Sequence, residues 1–167
     1  SDVCSSDLAH LHRSGVGVGE PIGIGVELAE VHRRADRLTA AFPDLGPVLA
    51  TLVGLLDELA RSSSPGPAGP AHRSFRPAQV LLARPADGTR PTGLSFIDFD
   101  GFCQAEPSLD VALFTATLRS IGLNKGVEDK ATLLDMAPEA RAARLADAER
   151  LCEAFLAGYR SVAELDP

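Results

Sequence analysis

The chain has 167 residues, room for one domain or for one lobe of a larger one. Its 16 Lys and Arg stand against 23 Asp and Glu, a net charge of −7, which argues against binding nucleic acid or an anionic membrane through bulk charge. With 45% hydrophobic and 23% charged residues it has the composition of a folded globular domain, and its longest apolar stretch, residues 48–56, falls far short of the roughly 20 residues that span a bilayer.

In chain order, residues 1–8 come first. Ser-Asp-Val-Cys-Ser-Ser-Asp-Leu can be back-translated in a single frame to a widely used sequencing adapter, and there is no initiator Met. The expectation is that these residues are extraneous, and that residues 9–167 are the C-terminal part of something larger. Residues 9–14, followed by Gly15, read as the last turn of a helix with a glycine stop. His10 and His12, near this end, are expected to be solvated. Residues 15–25 hold five glycines and a proline and read as a connector, since no phosphate-loop spacing is met.

Leu28, Val31, Ala35, Leu38 and Phe42 recur at helical steps and predict a helix over residues 27–42, broken by Pro43. Pro47 opens a second helix whose broad stripe of Val48, Leu49, Leu52, Val53, Leu55, Leu56 and Leu59 predicts a central, largely buried element. Residues 62–70 are Ser, Pro, Gly and Ala, a loop. Residues 80–83 and 94–97 are strand candidates flanking a turn with Asp87-Gly88, which predicts a hairpin. Helices follow from Ser108 to about residue 120 and from Pro138, the last with Leu145, Ala148, Leu151, Cys152, Phe155, Leu156 and Tyr159 on one face. The charges of that helix, Arg141, Arg144, Glu149 and Arg150, predict a solvated face with pairings along it. The fold class is α+β, mostly helical. With 5% aromatic residues and no Trp, the core is expected to be mostly Leu, Val and Ala. The three cysteines, Cys4, Cys103 and Cys152, match neither a disulfide framework nor a metal-ligand spacing. With no basic start followed by an apolar centre, a reduced, cytoplasmic setting is expected.

Chemistry concentrates on either side of the hairpin. Before it stands His72-Arg-Ser-Phe-Arg-Pro-Ala-Gln79, and after it Ile97-Asp98-Phe99-Asp100-Gly101. A hairpin brings its ends together, so Ser74, Gln79, Asp98 and Asp100 are expected to share one cleft. Here the sequence resembles the aminoglycoside phosphotransferase and choline kinase-like family, whose core is His-x-Asp-x-x-x-x-Asn, a hairpin, then Ile-Asp-Phe-Asp. Arg76-Pro77 and Glu106-Pro-Ser-Leu-Asp110 add to the match, which runs over residues 26–161.

The resemblance implies the C-terminal lobe of a protein-kinase-like fold, with the N-terminal lobe missing. It implies ATP and Mg²⁺ as cofactors, and phosphoryl transfer to a small-molecule hydroxyl. The partners implied are a nucleotide and a small-molecule acceptor, with no nucleic acid and no membrane. By the same resemblance, Ser74 takes the position of the catalytic base. Gln79 and Asp98 take those of the nucleotide-metal ligands, with Asp100 as a second carboxylate. His72 is then a structural member of the loop, and Asp110 braces the loop backbone. Ser74 binds a proton far too weakly to serve as a base near neutral pH, and such a base contributes about 10²–10⁴-fold. Gln79 keeps an amide oxygen, one methylene further out than Asn. The chain alone is therefore expected to be inactive. The alternative is a pseudokinase-type binding or regulatory module.

Overall fold

The computed structural model describes residues 3–83, 93–125 and 135–165. Its helices are α1 (Val3–His12), α2 (Ile24–Ala41), α3 (Gly46–Ser62), α4 (Ser108–Asn124) and α5 (Pro138–Arg160). Its strands are β1 (Gly69–Ala71), β2 (Val80–Ala83), β3 (Gly93–Phe96) and β4 (Cys103–Ala105). Prolines sit in the first turns of α3 and α5, where the missing N–H costs nothing. The apolar periods predicted for α2, α4 and α5 all form helices. The fold is mostly helical, and none of the helices among the described residues is long and apolar enough to cross a membrane.

The hairpin forms in antiparallel register, with Val80 opposite Phe96 and Leu82 opposite Leu94. The Asp87-Gly88 turn lies outside the described residues. A second antiparallel pair was not expected: β1 and β4 align Gly69 with Ala105 and Ala71 with Cys103. β1 is the end of the Ser/Pro/Gly loop, too short for any period to show. The glycine-rich connector also does more than join α1 to α2. It runs beside β4, with Ile22 N donating to the Gln104 carbonyl at 2.8 Å and Gln104 N to that of Glu20 at 2.9 Å. Gly19 has φ +94°, and a Cβ there would lie 2.8 Å from Cys103 Cα, so only glycine fits this crossing.

The expected Leu, Val and Ala make up six of the twelve buried hydrophobic residues of the described core, but four of those six are small alanines. Phe75, Phe114, Phe155 and Tyr159 dominate it, with Leu8, Ala9 and Val111. Phe114 stacks on Phe155 at 4.2 Å and on Phe75 at 5.1 Å, and Phe96 meets Phe75 edge-on at 4.9 Å. A few aromatics, each burying a large area, outweigh many leucines that stay outside. Ser5 and Leu8, within the first eight residues, are buried with Ala9 and His12 on one face of α1.

The leucines stay outside because α3 is not central. Neither α2 nor α3 has a buried residue, and Val48, Leu52, Leu55 and Leu59 are each more than half exposed. The two helices pack mainly on each other. A wide apolar stripe shows how much circumference suits burial, not how many neighbours bury it. Along the exposed side of α2, hydrogen bonds from Arg34 and Arg33 hold the Glu30 carboxyl down at about 2.

The α5 charges correct another expectation. Arg150 pairs along the helix with Asp147, but Glu149 accepts two bonds from Arg119 of α4, at 2.6 and 2.9 Å. Arg144 donates to the carbonyls of Leu123 and Lys125 at the end of α4. The helices approach closely at Gly122, where a Cβ would lie 2.8 Å from Ala148 Cβ. Gly122→Ala gains about 1 kcal/mol of helix propensity but overpacks the contact by about 1–3 kcal/mol. The expected result is a net loss of stability of up to about 2 kcal/mol, read as a lower urea midpoint at unchanged slope.

Candidate functional site

Phe75 positions the site. Its ring is fully buried in the aromatic stack, so the chain on either side is pinned at the core surface. One residue before it, Ser74 is half-buried. The 3-10 turn Pro77–Gln79 then leads into β2 and buries Gln79. At the other end of the hairpin, Ile97 N donates to the Gln79 carbonyl at 3.1 Å, which closes the two ends together.

Three of the four side chains expected to share a cleft do meet. Gln79 Nε2 donates to Asp98 Oδ2 at 3.0 Å and lies 3.5 Å from Ser74 Oγ. Asp98 is exposed, with left-handed backbone at φ 69° and ψ 53°. Asp tolerates that region better than most residues, and such strain gathers at working sites. Asp100 is exposed in the turn Phe99–Gly101 and joins none of these bonds.

His72 is fully buried and ties both segments together. Its Nε2–H donates to the Ile97 carbonyl at 2.9 Å, and its Nδ1 lies 3.2 Å from Ser74 Oγ. Its ring lies 4.5 Å from that of Phe99 and 5.6 Å from that of Phe75. Its backbone N–H donates to Asp110 Oδ2 at 2.6 Å, the loop brace that the resemblance implies. Arg73, left-handed at φ 65°, reaches back to Glu27 of α2 at 3.1 Å. Cys103 is buried beside this region, and burial pushes its thiol up, which leaves it protonated and inert.

A second buried network stands behind the loop, and sequence reasoning missed it. His12 Nε2–H donates to Asp110 Oδ2 at 3.1 Å, and the Tyr159 hydroxyl donates to His12 Nδ1 at 2.6 Å. The expectation that His12 is solvated fails: it sits on the buried face of α1, four residues from Leu8. His10, on the other face, is exposed as expected. Periodicity could have found His12, because it lies at helical spacing from the apolar Leu8 and Ala9. Burial, and then the charge of Asp110, push the Tyr159 hydroxyl up to about 12 from an ordinary 10. Tyr159 is the chain's one tyrosine, so an ultraviolet titration of phenolate reads it alone. Ionisation is expected near 12 in the folded protein. Because the folded value is the higher one, this contribution to stability is complete below 10 and is lost as the pH rises from 10 towards 12.

With this geometry in place, the fold is similar to part of the fold of solved kinases. A glucosamine kinase (crystal form B) matches with a TM-score of 0.63 at 21% identity over 95% of this chain. A glucosamine kinase in complex with glucosamine, ADP and inorganic phosphate matches with a TM-score of 0.50 at 24% identity, again over 95% of this chain. The chain spans 40% of the length of the first and 41% of the second. No family model and no curated protein matches the sequence.

Proposed function

We propose that this chain is the C-terminal lobe of an ATP-dependent phosphotransferase of the aminoglycoside phosphotransferase type, acting in the cytoplasm on a small-molecule hydroxyl. In this reading the metal-holding half of the site is kept and the base is replaced. The observation that carries the reading is the Gln79–Asp98 bond of 3.0 Å, with Ser74 and His72 against it. It joins the residues on both sides of the hairpin that the resemblance assigns to nucleotide and metal.

The donor set suits Mg²⁺ only in company. Two carboxylates and one amide are hard oxygen ligands, but among the described residues no three His, Cys, Asp or Glu gather into a cage. Mg²⁺ is commonly held by one or two carboxylates together with substrate phosphates. Gln79 Oε1 is buried without a partner, and its N–H faces Asp98. Rotating the amide would offer that oxygen to a cation on the Asp98 side. Asp98 and Gln79 would hold the ion, with Asp100 as the exposed reserve, and the bound Mg²⁺ would neutralise phosphate charge. His72 and Asp110 keep the loop in register.

The test is titration with Mn²⁺ as the probe ion in the presence of ADP, followed by electron paramagnetic resonance. Asp98→Asn is expected to weaken Mn²⁺ binding by roughly tenfold or more, the loss of one charged ligand costing at least about 1.4 kcal/mol. Equal binding by both proteins refutes the reading.

The pseudokinase reading has one specific observation in its favour. The group at the position of the base is a hydroxyl engaged with His72, not a carboxylate. Nucleotide binding without turnover on any hydroxyl acceptor is the outcome that would select it.

A further inference from the structure

The hydroxyl at the position of the missing base is itself arranged as a nucleophile. The Ile97 carbonyl only accepts, so His72 Nε2 carries the ring proton and Nδ1 presents a lone pair. Ser74 Oγ–H lies 3.2 Å from that lone pair and donates to it. The imidazole cannot turn away. It is fully buried between aromatic rings, and its backbone is held by Asp110. Nucleophile, base and orienting group are the three parts that activate a serine. Ser74 is half-buried, while its base is fully buried. The Gln79 amide spans from Ser74 to Asp98, which sets the hydroxyl beside the carboxylate proposed to hold the metal.

We propose that Ser74 is a phosphoryl acceptor, with His72 as its base. This rests on the functional reading above only for its donor, a nucleoside triphosphate held by Asp98. Ser74 Oγ attacks the γ-phosphorus, and a new O–P bond forms. The bond from that phosphorus to the β–γ bridging oxygen breaks, and the nucleoside diphosphate leaves with the electron pair. The serine proton passes to His72 Nδ1. The product is a phosphoserine facing an imidazolium, two charges of opposite sign at hydrogen-bond distance. The replacement of a carboxylate by a hydroxyl thus changes what the position receives, from a proton to a phosphoryl group.

Two reagents separate this proposal from the reading beneath it. A fluorophosphonate delivers an electrophilic phosphorus with fluoride as leaving group and needs no nucleotide. The native chain is expected to be labelled at Ser74 roughly 10²-fold faster than at its other serines, as assigned by peptide mass spectrometry. Ser74→Ala should abolish that label. His72→Gln, which keeps a donor for the Ile97 carbonyl but removes the Nδ1 lone pair, should slow it by a similar factor. Labelling spread evenly over the serines of the native chain overturns the proposal without recourse to any variant, as does a Ser74 label indifferent to His72→Gln in a folded protein. The second reagent is Mg²⁺ with ATP, read as the mass of one added phosphoryl group on Ser74. Its loss in Asp98→Asn, with fluorophosphonate labelling kept, supports both the acceptor and its donor. Fluorophosphonate labelling with no transfer from ATP overturns the nucleotide donor and leaves the activated serine standing.

Discussion

Replacing Asp110 with alanine is expected to destabilise the chain by on the order of 4 kcal/mol, a large share of the roughly 5–15 kcal/mol that holds an ordinary domain together. The side chain is fully buried, and one of its oxygens, Oδ2, accepts from the backbone N–H of His72 at 2.6 Å and from His12 Nε2 at 3.1 Å. Removing it orphans two buried donors at once, each costing about 1–3 kcal/mol. The loss propagates in two directions. His72 loses the anchor that presents its ring to Ser74 and Ile97, and His12 loses the partner that fixes its tautomer toward Tyr159. Oδ1 already lacks a partner, so part of the burial cost is present in the native protein. Asp110→Asn is therefore expected to cost less than the alanine variant, because its remaining oxygen can still accept from His72. Urea unfolding of the three proteins checks the order. Equal stabilities would mean that α1 and the loop are held by the aromatic stack alone.

The local chemistry of the site was legible because it depends on short range. Val80–Ala83 forms a strand where expected, and a hairpin must bring its ends together. From that alone Ser74, Gln79 and Asp98 could be placed side by side, and their side chains do meet. Asp100 was placed with them by the same logic, but the 3-10 turn after Asp98 carries it out of the bond network. Two residues along the chain are enough for a turn to reverse a side chain's direction, and hairpin logic cannot see that.

What was not legible depends on partners distant in sequence. His12 and Asp110 are 98 positions apart, and nothing in the local pattern of either announces the other. The Arg119–Glu149 pair was hidden in the same way, as two helix charges that each suit a solvated face. The width of the α3 stripe was read correctly as apolar, yet a stripe becomes a core only when elements pack on it from more than one side. The β1–β4 pair is set by its neighbours, since three residues of Gly, Pro and Ala carry no strand signal of their own.

The largest functional effect is expected from Ser74→Asp. A carboxylate at this position would accept the proton of an attacking hydroxyl, a contribution of about 10²–10⁴-fold in turnover. The surroundings favour it. Gln79 Nε2 already lies within 3.5 Å of the Ser74 oxygen and can donate to a carboxylate there, and Arg73 and Arg76 flank the position in sequence. The measurement is ADP formation from Mg²⁺ and ATP over a panel of small-molecule hydroxyls. The KM for ATP should stay near the native value, because Asp98, the carboxylate proposed to hold the metal, is kept, while kcat rises. The same variant should lose every trace of label at position 74, since it no longer has a hydroxyl to phosphorylate. A gain in turnover with that loss of label would mean that the side chain at this one position decides whether a phosphoryl group is passed onward or kept. A folded variant with neither gain nor nucleotide binding would place the deficiency in the metal half, at Gln79 and Asp98.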